Sequence, residues 1–236
     1  MITYVGVGAA ANQNYQTVAQ PALPAGIAAG DLLLCQSLAR SIADNVLSSS
    51  WPTLSIADTA GFYILASYRI ATGADTVPTI TPGGMSSGQT HVSRVTAWRG
   101  VDTIQPFGPV STAVQTSSSQ DVANIAPPAY LPSDGAVIVM GSRLGTWTSA
   151  ATLSGDGLTW AEAWDEATAL TNTLSWAMDY AIWSGGVPPL TAKTFTITGG
   201  TASSNIGQMW ALNALQPPVS GARRRLLSSM TFPPFP

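Results

Sequence analysis

Thr173-Leu-Ser-Trp-Ala-Met-Asp-Tyr-Ala-Ile-Trp183 is the stretch on which the fold turns. In an extended chain Trp176, Met178, Tyr180 and Ile182 fall on one face, and Ala177, Asp179, Ala181 and Trp183 on the other. A helix would scatter the same apolar side chains around its circumference. The segment therefore reads as a β-strand, closed at its far end by the turn residues Ser184-Gly-Gly186.

Working outward, short apolar or alternating runs punctuated by Gly, Pro, Asn and Asp recur along the chain. They predict strands near Ile2–Val7, Asp31–Ser37, Phe62–Ile70, Val77–Ile80 and His91–Arg99. A second group follows near Ala136–Ser142, Thr159–Trp164, Thr173–Trp183, Thr194–Thr198 and Ile206–Leu212. Ala161–Leu170, rich in Ala and Glu, is the one helical candidate. The class is all-β.

The chain also resembles itself. Tyr68-Arg-Ile-Ala-Thr-Gly73 returns 112 residues later as Tyr180-Ala-Ile-Trp-Ser-Gly185, and Val95-Thr-Ala-Trp98 more weakly as Met209-Trp-Ala-Leu212. Val77-Pro-Thr-Ile-Thr81 answers to Thr194-Phe-Thr-Ile-Thr198, and Leu23-Pro24 before Asp31-Leu-Leu-Leu34 to Leu131-Pro132 before Ala136-Val-Ile-Val139. Two similar halves follow, about 1–109 and 110–215, either as tandem sandwiches or as one jelly-roll-like antiparallel β-sandwich. The second is expected, because each half offers only four or five strands and Pro106–Ser119 is no long flexible linker.

The 236 residues are 45% apolar and only 9% charged. Such a chain can fill a sizeable core, while Ser, Thr, Gly, Asn and Gln cover its surface, as suits a virion or secreted protein or one buried by neighbours. No apolar run approaches the roughly 18 residues of a membrane span, and the N-terminus lacks the basic start of a secretory signal, so a soluble, non-exported chain is expected. Cys35, the single cysteine, sits among Leu32, Leu33 and Leu34 and reads as a small buried hydrophobe.

Little in the sequence suggests catalysis. His91 is the only histidine and has no nucleophile motif near it, so neither a Ser-His-Asp nor a Cys-His centre is expected. One Cys and one His cannot supply a structural zinc site, and Asp58, Asp75, Asp134 and Asp156 are spaced as turn residues rather than as a calcium loop. Glu162, Asp165 and Glu166 stand beside Trp160 and Trp164, the ingredients of a glycosidase, yet a solvated strand end explains them as well. No enzyme, metal or cofactor is expected. Of the eight tryptophans, Trp98, Trp176 and Trp210 read as core, and Trp147, Trp160 and Trp164 lie near turns where they could stack on sugars.

Leu23-Pro-Ala-Gly-Ile-Ala-Ala-Gly-Asp-Leu-Leu-Leu34, Tyr68-Arg-Ile-Ala-Thr-Gly73 and Thr96-Ala-Trp-Arg-Gly-Val-Asp102 followed by Pro106 resemble the strand phrasing of β-sandwich virion proteins of tailed bacteriophages, often labelled minor tail, fibre or capsid-associated. The likeness spans roughly residues 15–215 and carries no functional residues with it. It implies a non-enzymatic component of the virion, on capsid or tail, that contacts other virion proteins and forms a homo-oligomer. The alternative is a receptor-binding module for host-surface glycans.

After Leu215 the pattern stops. Residues 216–236 are proline-rich, then basic at Arg223, Arg224 and Arg225, then apolar and aromatic at Leu226, Leu227, Met230, Phe232 and Phe235. Twelve Asp and Glu all precede the triplet, which holds three of the nine basic residues, so an acidic body carries a basic arm. One short basic run offers too few phosphate contacts for strong nucleic-acid binding. The eight side chains named are expected to anchor the arm on a protein partner.

Overall fold

The computed structural model describes residues 1–14, 17–40, 47–59, 61–85, 89–119, 122, 124–168, 173–200 and 203–216. The described residues form fifteen strands and no helix. The first half gives β1 (Thr3–Val7), β2 (Ala11–Asn14), β3 (Leu32–Arg40), β4 (Leu47–Ser49), β5 (Thr53–Thr59), β6 (Phe62–Ile70), β7 (Ile80–Pro82) and β8 (Thr90–Arg99). The second gives β9 (Phe107–Ser119), β10 (Gly135–Leu144), β11 (Ser149–Ala150), β12 (Trp160–Ala167), β13 (Leu174–Trp183), β14 (Ile197–Thr198) and β15 (Ser203–Asn213).

Each half builds one antiparallel sheet. The first runs β1-β8-β3-β6-β5, with β2 also on β8; the second runs β9-β15-β10-β13-β12. Strand for strand the two orders are the same, and β4 pairs β7 just as β11 pairs β14. Tyr68 and Tyr180 accordingly lie in the equivalent strands β6 and β13, and Val95 and Met209 in β8 and β15. The first strand of the second sheet, β9, opens at Phe107. A jelly roll draws each sheet from both halves; here each sheet is drawn from one, and the halves meet face to face.

Between the sheets lies the main core. Leu32, Leu34, Leu38, Ile64 and Trp98 of the first sheet pack against Ile138, Met140, Trp176, Met178, Trp210 and Leu212 of the second. Trp176, Met178, Tyr180 and Ile182 face this layer, while Ala177, Ala181 and Trp183 face away from it, the division read from the alternation. Three of the buried indoles find acceptors: Trp98 Nε1 donates to Thr96 Oγ1 at 3.0 Å, Trp176 Nε1 to Glu166 at 2.7 Å and Trp210 Nε1 across to Ser55 Oγ at 3.2 Å.

The outer faces are covered too. Leu47, Trp51, Ile80 and Met85, around the β4–β7 pair, close over Leu33, Cys35, Val95 and Ala97. Around β11–β14, Trp147, Ala150, Phe195 and Ile197 close over Val137, Val139, Ala177 and Ala181. Burial on both faces explains why the central strands β3 and β10 read as Leu-Leu-Leu-Cys and Ala-Val-Ile-Val-Met instead of alternating.

Several expectations change. Ala161–Leu170 is not helical where it is described: Trp160–Ala167 is the edge strand β12, because pairing with β13 overrides the helix preference of Ala and Glu. Pro106–Ser119, read as no long flexible linker, is mostly the long strand β9, which was not predicted. Val77–Ile80 contributes only its last residue to β7, and β2, β4, β5 and β11 went unpredicted.

Candidate functional site

Arg223, Arg224, Arg225, Leu226, Leu227, Met230, Phe232 and Phe235 lie outside the described residues, as does the arm from 217 onward. What can be built is its root. β8 and β15 finish side by side, where Val101 bridges Ala214, and Asp102 N donates to Asn213 O at 2.9 Å. Leu215 N donates to Gly100 O at 2.8 Å, holding the chain against the end of the sandwich as it leaves.

Two clefts flank this exit. The larger, 610 Å³, is lined by Asp102, Gln105, Phe107, Tyr130, Pro132 and Gln216 among others. The smaller, 310 Å³, lies between Ala29, Arg99, Val101 and Leu215. At its rim Arg99 makes a two-pronged ion pair with Asp31, Nε to Oδ1 at 2.9 Å and Nη2 to Oδ2 at 2.8 Å. Asp102 shapes the turn between the clefts: its Oδ1 accepts the backbone N–H of Gln105 and of Ile104, and those bonds hold its carboxyl below the usual range. The turn drives Ile104 into solvent, 93% exposed, while Tyr130, at 63%, lines the larger cleft and Leu215, at 55%, the smaller.

The sequence-level acidic cluster is divided by the strand. Glu166 points between the sheets, where it pairs with Arg94 at 2.9 Å and accepts from Trp176. Arg94 in turn lies over the Trp164 ring, 5.5 Å from its centroid. Asp165 points outward, and its two oxygens accept Trp147 Nε1 and Ala150 N, both at 2.6 Å. Asp165 and Glu166 are thus engaged on opposite faces, where a glycosidase needs its carboxylates converging on one bond.

Other residues singled out are placed as follows. His91 is buried; its Nε2 lies 2.7 Å from Thr17 O, and burial lowers its pKa. Cys35 is buried, its thiol pushed up to about 12 by desolvation. Asp75 caps the turn at Thr72 and Gly73 and pairs with Arg69; Asp134 accepts from Gly185 N; Asp156 pairs with Lys193 at 2.6 Å and binds Thr191. Among the described residues no group of three His, Cys, Asp or Glu side chains is placed to hold a metal ion. Trp147 and Trp164, named as sugar platforms, are each only 5% exposed, because the β11–β14 cover and the inter-sheet core enclose them. Trp160 is half-buried, with Lys193 Nζ 5.2 Å from its ring centroid.

Sequence reading missed Ile104 and Tyr130, whose signal was weak: an isolated Ile and Tyr among turn residues, before Pro106 and Leu131-Pro132. It also missed Asp179, a carboxylate on the buried outer face of β13. Compared with known protein families, curated proteins and solved structures, the chain matches none.

Proposed function

We propose that the protein is a non-enzymatic structural component of a tailed-phage virion, seated on capsid or tail through the end of the sandwich from which the C-terminal arm departs. The observation that carries this reading is the apolar end surface of Ile104, Tyr130 and Leu215 at the root of a basic and aromatic arm. A protein partner suits that combination: apolar side chains contribute about 1.5–3 kcal/mol each when buried, and the prolines reduce the entropy the arm loses on being ordered. Arg223, Arg224 and Arg225 then face acidic groups of a neighbouring subunit. A sparsely charged, Ser- and Thr-rich surface fits a chain packed among other virion proteins.

The glycan-binding alternative draws no support from Trp147 or Trp164, whose rings are enclosed.

Deleting residues 217–236 should leave the sandwich folded and abolish its incorporation into assembled particles, and Ile104→Glu with Tyr130→Ser should reduce it. Copy number per particle, read by quantitative mass spectrometry of purified virions, is the measurement. Normal occupancy of the truncated chain would remove the reading, and saturable tryptophan quenching by a host polysaccharide would replace it with the glycan module.

A further inference from the structure

The two outer covers are fastened differently. On the second sheet, residues 147–153 are tied down at three points by two carboxylates: Asp165 accepts Trp147 Nε1 and Ala150 N, and Asp179 accepts Leu153 N, all three at 2.6 Å. Glu162 stands directly opposite Asp179 in the register of β12 with β13, and its side chain is exposed. Three carboxylates thus lie under and beside one cover, and like charges facing each other across two strands repel.

The duplicated plan supplies an internal comparison. Ser67 of β6 lies 112 residues before Asp179, next to the Tyr68 and Tyr180 pair that marks the equivalence, and Thr53 opposes Ser67 as Glu162 opposes Asp179. Both edge strands are bulged at the next step, Thr53/Ser55 and Glu162/Trp164, so Ile56 answers to Asp165. Where the second half has Glu162, Asp165 and Asp179, the first therefore has Thr53, Ile56 and Ser67. Ser67 is buried like Asp179 and also holds a cover, but through hydroxyls: its Oγ donates to Ser49 Oγ at 2.9 Å, and that oxygen accepts Trp51 N at 3.1 Å. One half seats its cover without carboxylates at these positions; the other has built protons into the fastening.

We propose that residues 147–153 form a pH-sensitive latch, closed over the second sheet while Asp179 holds a proton and loosened when Asp179 ionises beside Glu162 and Asp165. A protonated carboxyl still accepts the Leu153 N–H through its carbonyl oxygen, so the closed latch keeps this bond in acid. An ionised Asp179 is sealed from water against two like charges, and lifting the cover hydrates it. Desolvation first, and the charges of Glu162 and Asp165 after it, accordingly raise the Asp179 pKa to about 7. The other charged groups on this side are engaged elsewhere: Lys193 pairs with Asp156 at 2.6 Å and donates to Ser154 O at 2.9 Å, and Arg143 donates to Thr146 O at 2.7 Å. From β10, Val139 stands opposite Asp179. Opening bares the apolar floor of Val137, Val139, Ala177 and Ala181. The proposal does not depend on the virion reading, since it concerns the outer cover and not the end surface.

Amide hydrogen exchange of the full chain, read residue by residue by NMR and divided by the intrinsic rate at each pH, tests it. A carboxyl whose pKa is raised by closure favours the closed state below the ordinary carboxylate range and loses that effect as pH rises through about 7. The protection of Leu153 and Ala150 should therefore fall by up to about tenfold per unit between about pH 5 and pH 7 and then level off. Ser50, whose N–H donates to Thr79 O in the first cover, should hold its protection over the same range. Asp179→Asn should flatten the Leu153 profile, and Glu162→Gln, a change on an exposed side chain, should move its levelling-off to lower pH by removing a facing charge. Leu153 protection that tracks Ser50 at every pH would overturn the proposal, because the proton would then be linked to the whole molecule or to nothing. So would a fall that persists in Asp179→Asn, or a profile that Glu162→Gln leaves unmoved.

Discussion

Asp179 is the residue whose chemistry the sequence least prepared. It alternates correctly within β13, but its side chain is turned into the covered outer face, 1% exposed, where it accepts the Leu153 N–H at 2.6 Å. Desolvation pushes its pKa up to about 7; the Leu153 N–H opposes this, while the charges of Glu162 and Asp165 add to it. A carboxyl whose pKa is raised by folding is protonated more readily in the folded chain. Its contribution to stability is therefore full below the ordinary carboxylate range and is lost as pH rises through about 7, at about 1.4 kcal/mol per unit. Asp179→Asn keeps an acceptor for Leu153 without the proton linkage. Denaturant titrations of both proteins should give a difference in stability that grows from pH 4 to pH 7 in the variant's favour and then levels off. His91 works in the opposite direction: burial lowers its pKa, so the stability it contributes as a neutral ring is lost in acid below its unfolded value. Because His91 is common to both proteins, the difference isolates Asp179.

The strands most legible in the sequence were those whose burial imposes a pattern. β13 alternates because one face meets the inter-sheet tryptophans and the other the small-residue floor under Phe195. β3 and β10 read as apolar runs because covers on both sides bury them. Illegible were β5 and β9, half-exposed edges rich in Ser and Thr, and β4 and β11, too short to show a period. β12 was legible as a strand over Thr159–Trp164 even though its Ala and Glu carry helix propensity, and its strand state is set by register with β13. The arm's apolar and basic residues were legible as a composition, but the end surface at its root required the turn geometry of Asp102. The covers themselves can be tested. Phe195 is fully buried, and a Cβ added at Gly141 would sit 2.5 Å from its ring, so β10 gives up a side chain to seat it. Phe195→Ala should cost about 3–5 kcal/mol in chemical denaturation, as other buried aromatic truncations do. Gly141→Ala should also destabilise, by crowding the same ring.

The duplicated plan has a consequence for how the molecule holds together. Each half supplies a complete sheet, as two units that fold alone would. The location of the core argues otherwise. Trp98, Leu34 and Ile64 belong to the first sheet and Trp176, Met178 and Trp210 to the second, and all six are fully buried only because the sheets cover each other. Polar links cross the same boundary: Arg94 of β8 pairs with Glu166 of β12, Trp210 donates to Ser55, and Val101 bridges Ala214. Separating the halves would expose several large side chains per sheet, at about 1.5–3 kcal/mol each, a loss comparable with the whole stability of an ordinary domain. The outer covers do not compensate, because each closes over its own sheet and leaves the inner face bare. Scanning calorimetry of the intact chain should therefore show one transition with calorimetric and van't Hoff enthalpies in agreement. A chain of residues 1–103 expressed without the remainder should lack a cooperative transition. Two resolved transitions, or a first half that melts cooperatively alone, would mean that each sheet is stabilised chiefly by its own cover.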